Sequence, residues 1–161
     1  MKKFILAFVV LLVFISSNTK ELIRIRVLAN SNSEYDQKIK TEVVEIVKGE
    51  FKKILNNTED VNVAREKISN NLDLVSNKVD KFLLEKKVPY SSTINFGINY
   101  FPPKEYNGEK YSEGYYESVL ITLGSGEGDN WWCILFPSVC LTDSDVKYES
   151  FLKHILSKIL K

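Results

Sequence analysis

The chain is poor in the residues that carry nucleophilic and metal chemistry. Among its 161 residues there is one histidine, His154, and there are two cysteines, Cys133 and Cys140. A Ser/His or Cys/His catalytic pair would have to use His154, which lies between Leu152 and Ile155 in an amphipathic run and reads as a surface or rim residue. Two cysteines without a nearby histidine do not make a zinc site, and no metal-ligand spacing occurs elsewhere. No cofactor is therefore expected. An excess of one charge is lacking too: 22 basic residues face 21 acidic ones, for a net charge of +1. Setting aside Lys2 and Lys3 in the N-terminal segment leaves a net charge of −1, which gives no reason to expect nucleic-acid binding. Only four Pro and seven Gly occur, and 44% of the residues are hydrophobic, which excludes a disordered or low-complexity chain. The scarcity of Arg against abundant Lys and Asn reads as the bias of an AT-rich genome.

Long hydrophobic runs are also absent, with one exception. Met1-Lys2-Lys3 is followed by twelve apolar residues, Phe4 to Ile15, and then by Ser16-Ser17-Asn18. A basic start, a short apolar stretch and a polar exit are the layout of a secretory signal, and twelve residues fall short of the roughly 20 needed to span a bilayer. Residues 1–17 are read as a signal peptide or a retained membrane segment, and residues 18–161 as one domain. Export makes a Cys133–Cys140 disulfide plausible chemistry, against two buried thiols.

Periodicity supplies the elements. Residues 21–29 form a strand with Ile23, Ile25 and Val27 on the core face and Leu22, Arg24, Arg26 and Leu28 on the other. Ser33, three residues before Asp36, caps a helix to about Leu55 with the stripe Ile39, Val43, Ile46, Val47, Phe51, Ile54 and Leu55. Thr58 is expected to cap a second helix, carried by Val61, Ala64, Ile68, Leu72, Val75, Val79 and Phe82 to about Lys87. Ile94, Phe96, Ile98 and Tyr100 alternate with polar residues in a second strand. Residues 104–114 read as a loop, 115–123 and 131–136 as strands joined by a flexible turn at 124–130, and a last helix follows Asp143 or Ser144. The order β-α-α-β-β-β-α predicts a single α+β domain with one mostly antiparallel sheet and helices packed on it.

Two features suggest enzyme chemistry, and each has a plainer reading. Gly124, Gly126 and Gly128 resemble a phosphate loop, but such a loop needs a helix N-terminus behind it, and here a strand follows. Glu113 and Glu117 could form a glycosidase pair, yet glutamates at a Tyr-rich strand start are more often solvated. The unusual feature is aromatic density between Tyr100 and Phe136. Adjacent Trp131 and Trp132 must point to opposite faces of a strand, so one is free for binding unless something covers it.

The chain resembles the stage II sporulation protein R family of endospore-forming bacteria. The resemblance runs from about Leu22 to Asp143. It rests on Ile-Arg-Ile-Arg-Val-Leu-Ala-Asn-Ser-Asn-Ser at 23–33 with Asp36-Gln37 and Lys40, on Phe96-Gly97, and on Phe101-Pro102 with Lys104 and Tyr106. The runs from Gly114 to Gly124 and from Gly126 to Pro137, with Cys140, complete it. Ser112 and Ser138 depart from the family pattern, both in loops. The resemblance implies a non-enzymatic signalling protein, made in the forespore and exported into the space between forespore and mother cell. Its implied partner is a membrane-embedded aspartic protease, which processes the pro-form of the early mother-cell sigma factor. Neither a nucleic acid nor a small-molecule substrate is implied. Aromatics, loops and family motifs gather on Asn30, Ser31, Asp36, Phe101, Pro102, Tyr106, Asn130, Trp131 and Trp132, which are the expected partner-binding residues. A secreted cell-envelope enzyme or carbohydrate-binding module is the alternative, since exposed Tyr and Trp also stack on sugars.

Overall fold

The computed structural model describes residues 22–106, 109–138 and 141. The N-terminal segment 1–17, Cys140 and the helix expected after Asp143, with His154, lie outside the described residues. Strand β1 (Ile23–Leu28) leads into helix α1 (Glu34–Ile54), then α2 (Val61–Asn70) and α3 (Leu72–Glu85). Strand β2 (Ser92–Phe101) follows, then a small hairpin of β3 (Lys104–Tyr106) and β4 (Glu109–Tyr111), and finally β5 (Gly114–Leu123) and β6 (Asn130–Phe136). The four long strands form one sheet in the order β2-β5-β1-β6. β1 runs parallel to β5, whereas the β1–β6 and β2–β5 pairs are antiparallel. The fold is thus the expected α+β domain with a mostly antiparallel sheet.

Alternation on β1 sorts the two faces as the sequence indicates. Ile23, Ile25 and Val27 are buried with Val119, Ile121 and Leu123 of β5. They join Val43, Val47 and Phe51 of α1, Ala64 and Ile68 of α2, and Val75, Val79 and Leu83 of α3 in one core cluster. Burying side chains of this size contributes roughly 1.5–3 kcal/mol each. The opposite face carries Arg24 and Arg26 among aromatic rings. Arg24 lies 3.5 Å from the centroid of the Tyr116 ring, and Arg26 lies 5.5 Å from that of Phe101 and 5.7 Å from that of Trp132. Burial pulls the Arg26 guanidinium below its ordinary pKa.

Three expectations are corrected. The long second helix is two helices: Asn71 turns its side-chain amide back onto Lys67 O at 2.8 Å, and the chain breaks there. Its N-cap is Asp60, whose carboxylate accepts from Asn62 N and Val63 N. Thr58 instead accepts from Lys67 Nζ at 2.8 Å. The segment 104–114 is not a plain loop, since β3 and β4 pair within it.

Candidate functional site

Ser33 caps α1 as expected, its hydroxyl accepting from Asp36 N at 3.1 Å. This cap points Asp36 back toward the end of β1, where the residue is only 5% exposed. Asp36 Oδ2 accepts from Asn30 Nδ2 at 2.8 Å and from Ser31 Oγ at 2.6 Å; Oδ1 accepts from Tyr90 OH at 2.6 Å. Burial pushes this carboxyl up, but the hydrogen bonds from Ser31, Tyr90, Asn30 and Ser33 outweigh it and hold the group below the usual carboxylate range. Burial and the Asp36 charge in turn raise the Tyr90 phenol.

The same segment grips the glycine turn between β5 and β6. Asn30 Oδ1 accepts from Ser125 N at 3.0 Å, and Asn30 O accepts from Ser125 Oγ at 2.8 Å and Glu127 N at 3.3 Å. Ala29 O accepts from Gly128 N at 2.9 Å, and Asn32 Oδ1 accepts from Asp129 N at 2.6 Å. A turn expected to be flexible is therefore pinned along its length. Gly128 must stay glycine, because a Cβ there would drive into the Ser31 carbonyl oxygen. Gly128→Ala should cost about 1–3 kcal/mol of unfolding free energy, through overpacking against backbone, as measured by urea denaturation.

On the solvent side of this clamp lies a groove of about 500 Å³, lined by Gln37, Lys40, Pro102, Pro103, Asp129, Asn130 and Trp132. Gln37 and Lys40 stand one turn apart on α1, and Lys40 Nζ donates to Gln37 Oε1 at 2.6 Å and to Asp129 O at 3.0 Å. Gln37 Nε2 in turn donates to Ser31 O at 2.9 Å. Trp132 forms one wall, its ring 5.0 Å from Phe101 in a T-shaped contact. Phe101, 1% exposed, is the base beneath that wall. The walls are thus tied to regular structure, and the groove between them is open and lined mainly by polar side chains.

The structure distributes the expected partner-binding residues unevenly. Pro102, Asn130 and Trp132 line the groove. Asn30, Ser31 and Asp36 form the clamp beneath it, and Phe101 supports Trp132. Trp131 pairs in register with Val27 and packs against the core from the helical face, away from the groove. Tyr106 belongs to β3, and its side chain lies outside the described residues. Pro103 and Asp129 lie in the loops 101–114 and 124–130 expected at this surface, whereas Gln37 and Lys40 were missed as lining residues, although they stand in the family motif at helical spacing from Asp36. Tyr90 was missed entirely. Of the two glutamates weighed as a catalytic pair, Glu117 is held by Arg65 Nε at 2.7 Å and Glu113 accepts from Tyr100 OH at 2.7 Å. The glycines at 124–128 lead into a strand, not a helix. Among the described residues there is no cluster of three or more metal-ligating side chains, and no helix is long and apolar enough to cross a membrane.

A family model described as stage II sporulation protein R matches residues 19–146. A curated protein of that name from Bacillus subtilis (strain 168) is 35% identical over 123 residues, which cover 76% of this chain and 55% of the relative. The chain therefore spans just over half the length of that relative. No solved structure matches it.

Proposed function

The chain belongs to the stage II sporulation protein R family, and from that premise we propose that it is an exported signalling protein that activates a membrane-embedded aspartic protease. The protease then processes the pro-form of the early mother-cell sigma factor, so the catalytic aspartates belong to the partner. The protein acts in the space between forespore and mother cell, carried there by residues 1–17, which are cleaved or kept as a tether. The observation that supports a binding role is the groove itself. Its lining residues are contributed by α1, by the Pro102-Pro103 turn and by β6, and the clamp of Asn30, Ser31 and Asp36 holds two of these parts together. Most of those residues stand in or beside the segments that carry the family resemblance. The test is reconstitution in a cell that makes no spores. Co-expression of this chain, the protease and the pro-sigma factor should give processing, and omission of this chain should abolish it. Processing that is equal with and without the chain rejects the reading. Retention on peptidoglycan with no effect on processing supports an envelope-binding module instead.

Export also sets the thiol chemistry. Cys133 is half-buried on β6. In an oxidising space it should pair with Cys140, and closing so short a loop should contribute up to about 2–3 kcal/mol. Mass spectrometry of the exported protein should find neither thiol open to alkylation before reduction; two alkylated thiols would reject the bond.

A further inference from the structure

β2 is an edge strand among the described residues, and its own sequence carries neither charge nor proline to protect it. Among the described residues it pairs with β5 on one side and with no strand on the other. Gly124 N donates to Ser91 O at 2.9 Å, so alternation aims the backbone groups of Ser92, Ile94, Phe96 and Ile98 away from β5, while at the strand's end Tyr100 O accepts from Arg26 Nη1 at 3.1 Å. Natural edges are blunted by charge, proline, bulges or short length. β2 runs for ten residues, Ser-Thr-Ile-Asn-Phe-Gly-Ile-Asn-Tyr-Phe, with no charged residue and no proline, in unbroken register with β5. The opposite edge, β6, has seven residues, a register shift beside Ile23, and Pro137 at its end.

The outer end of β2 also projects beyond the cover of the helices. Ile94 and Phe96 pack against the core. Farther along the same face, Ile98 is 68% exposed, Tyr100 45%, and Tyr115 on the neighbouring strand 73%. The row is thus half covered and half bare. Its residue types are symmetric about Gly97: apolar at 96 and 98, Asn at 95 and 99, apolar at 94 and 100. A two-fold interface needs a surface complementary to itself, and a strand that reads alike in both directions from one residue provides it.

We propose that β2 pairs antiparallel with β2 of a second copy of this chain, across a two-fold axis at Gly97, to make one continuous sheet. In that register Phe96 of one copy stands opposite Ile98 of the other, Ile94 opposite Tyr100, and Asn95 opposite Asn99. The bare half of each row meets the covered half of the other. The outward backbone groups of Phe96 and Ile98 form the central hydrogen-bonded pairs, while Gly97 faces Gly97 in a non-hydrogen-bonded pair with Cα atoms about 4.5 Å apart. With no charge on either strand, no like charges oppose each other.

The full chain in mild detergent at tens of micromolar should sediment as a dimer. Ile98→Lys should weaken dimerisation by roughly tenfold or more without moving the thermal midpoint of the monomer, read at concentrations too dilute for the dimer, because Ile98 is exposed in the single chain. Gly97→Cys should cross-link two copies under mild oxidation, since the expected Cα separation lies within the roughly 4.4–6.8 Å range of disulfides. Asn95→Cys, which the register places opposite Asn99, should cross-link far less. A monomer at these concentrations overturns the proposal, as does a dimer indifferent to Ile98→Lys or one in which Asn95→Cys cross-links as readily as Gly97→Cys.

Discussion

Asp36→Ala should lower the unfolding free energy by about 3–5 kcal/mol, the largest stability loss expected at any polar residue of the clamp. Three donors converge on this carboxylate, from Asn30, Ser31 and Tyr90. Hydrogen bonds to a charged group are worth roughly 1.5–3 kcal/mol each, and their sum is reduced because the three donors act as a unit. Truncation also leaves those half-buried donors without their acceptor. Tyr90→Phe, which removes one donor and leaves the other two in place, should cost about 1.5–2 kcal/mol. The two substitutions should be strongly non-additive in a double-mutant cycle. Additive losses would show that Tyr90 and Asp36 do not interact as described.

The same carboxylate sets an acid limb. Its folded pKa lies below the ordinary value, so its contribution is fully present above the unfolded pKa, near 3.9. It is lost as pH falls from there through the folded pKa. Stability should therefore decline below about pH 4, and Asp36→Asn should flatten that decline while lowering stability at neutral pH. An acid limb unchanged in Asp36→Asn would assign it to other carboxylates.

What could be read from the sequence follows how local each feature is. The faces of β1 and the Ser33 cap depend on residues within a few positions of one another, and both are found as expected. The break at Asn71 was hidden because Ile68, Leu72 and Val75 keep helical spacing straight across it. What ends α2 there is one side-chain amide turning back on its own helix. The site was legible as a set of residues but not as an arrangement. Asn30 and Asp36 looked like binding residues because they sit in a loop and its following helix turn. Tyr90, 54 residues beyond Asp36, closes over the carboxylate and makes it part of the scaffold. No periodicity links those two positions. Likewise the groove needs Lys40 beside Asp129, which the folding of α1 onto the β5–β6 turn supplies, and Pro102 and Pro103 beside Trp132, which the packing of Phe101 on that ring supplies.

The two tryptophans should differ in whether their loss touches the proposed signalling role as well as folding. They are neighbours in sequence, yet β6 turns Trp131 toward Val27 and the helices and Trp132 toward Arg26 and the groove. Trp131→Ala removes a ring packed on the core. It should cost about 3 kcal/mol of folding stability, the low end for a large aromatic because the ring is only half-buried. Folded protein should still activate processing normally. Trp132 is half-buried too and packs on Phe101, so Trp132→Ala should also cost stability, about 3 kcal/mol with the T-shaped contact included. As the aromatic wall of the groove, however, it has the character of a binding hot spot, worth about 2–4 kcal/mol of affinity for the partner. That corresponds to a loss of roughly 30-fold to 1,000-fold, measured below the unfolding transition of both variants. Asn130→Ala, beside it in the groove, should weaken binding in the same direction by a smaller factor. Processing at the normal level by folded, exported Trp132→Ala would remove the groove from the interface. The signalling role would then have to use another face of the domain.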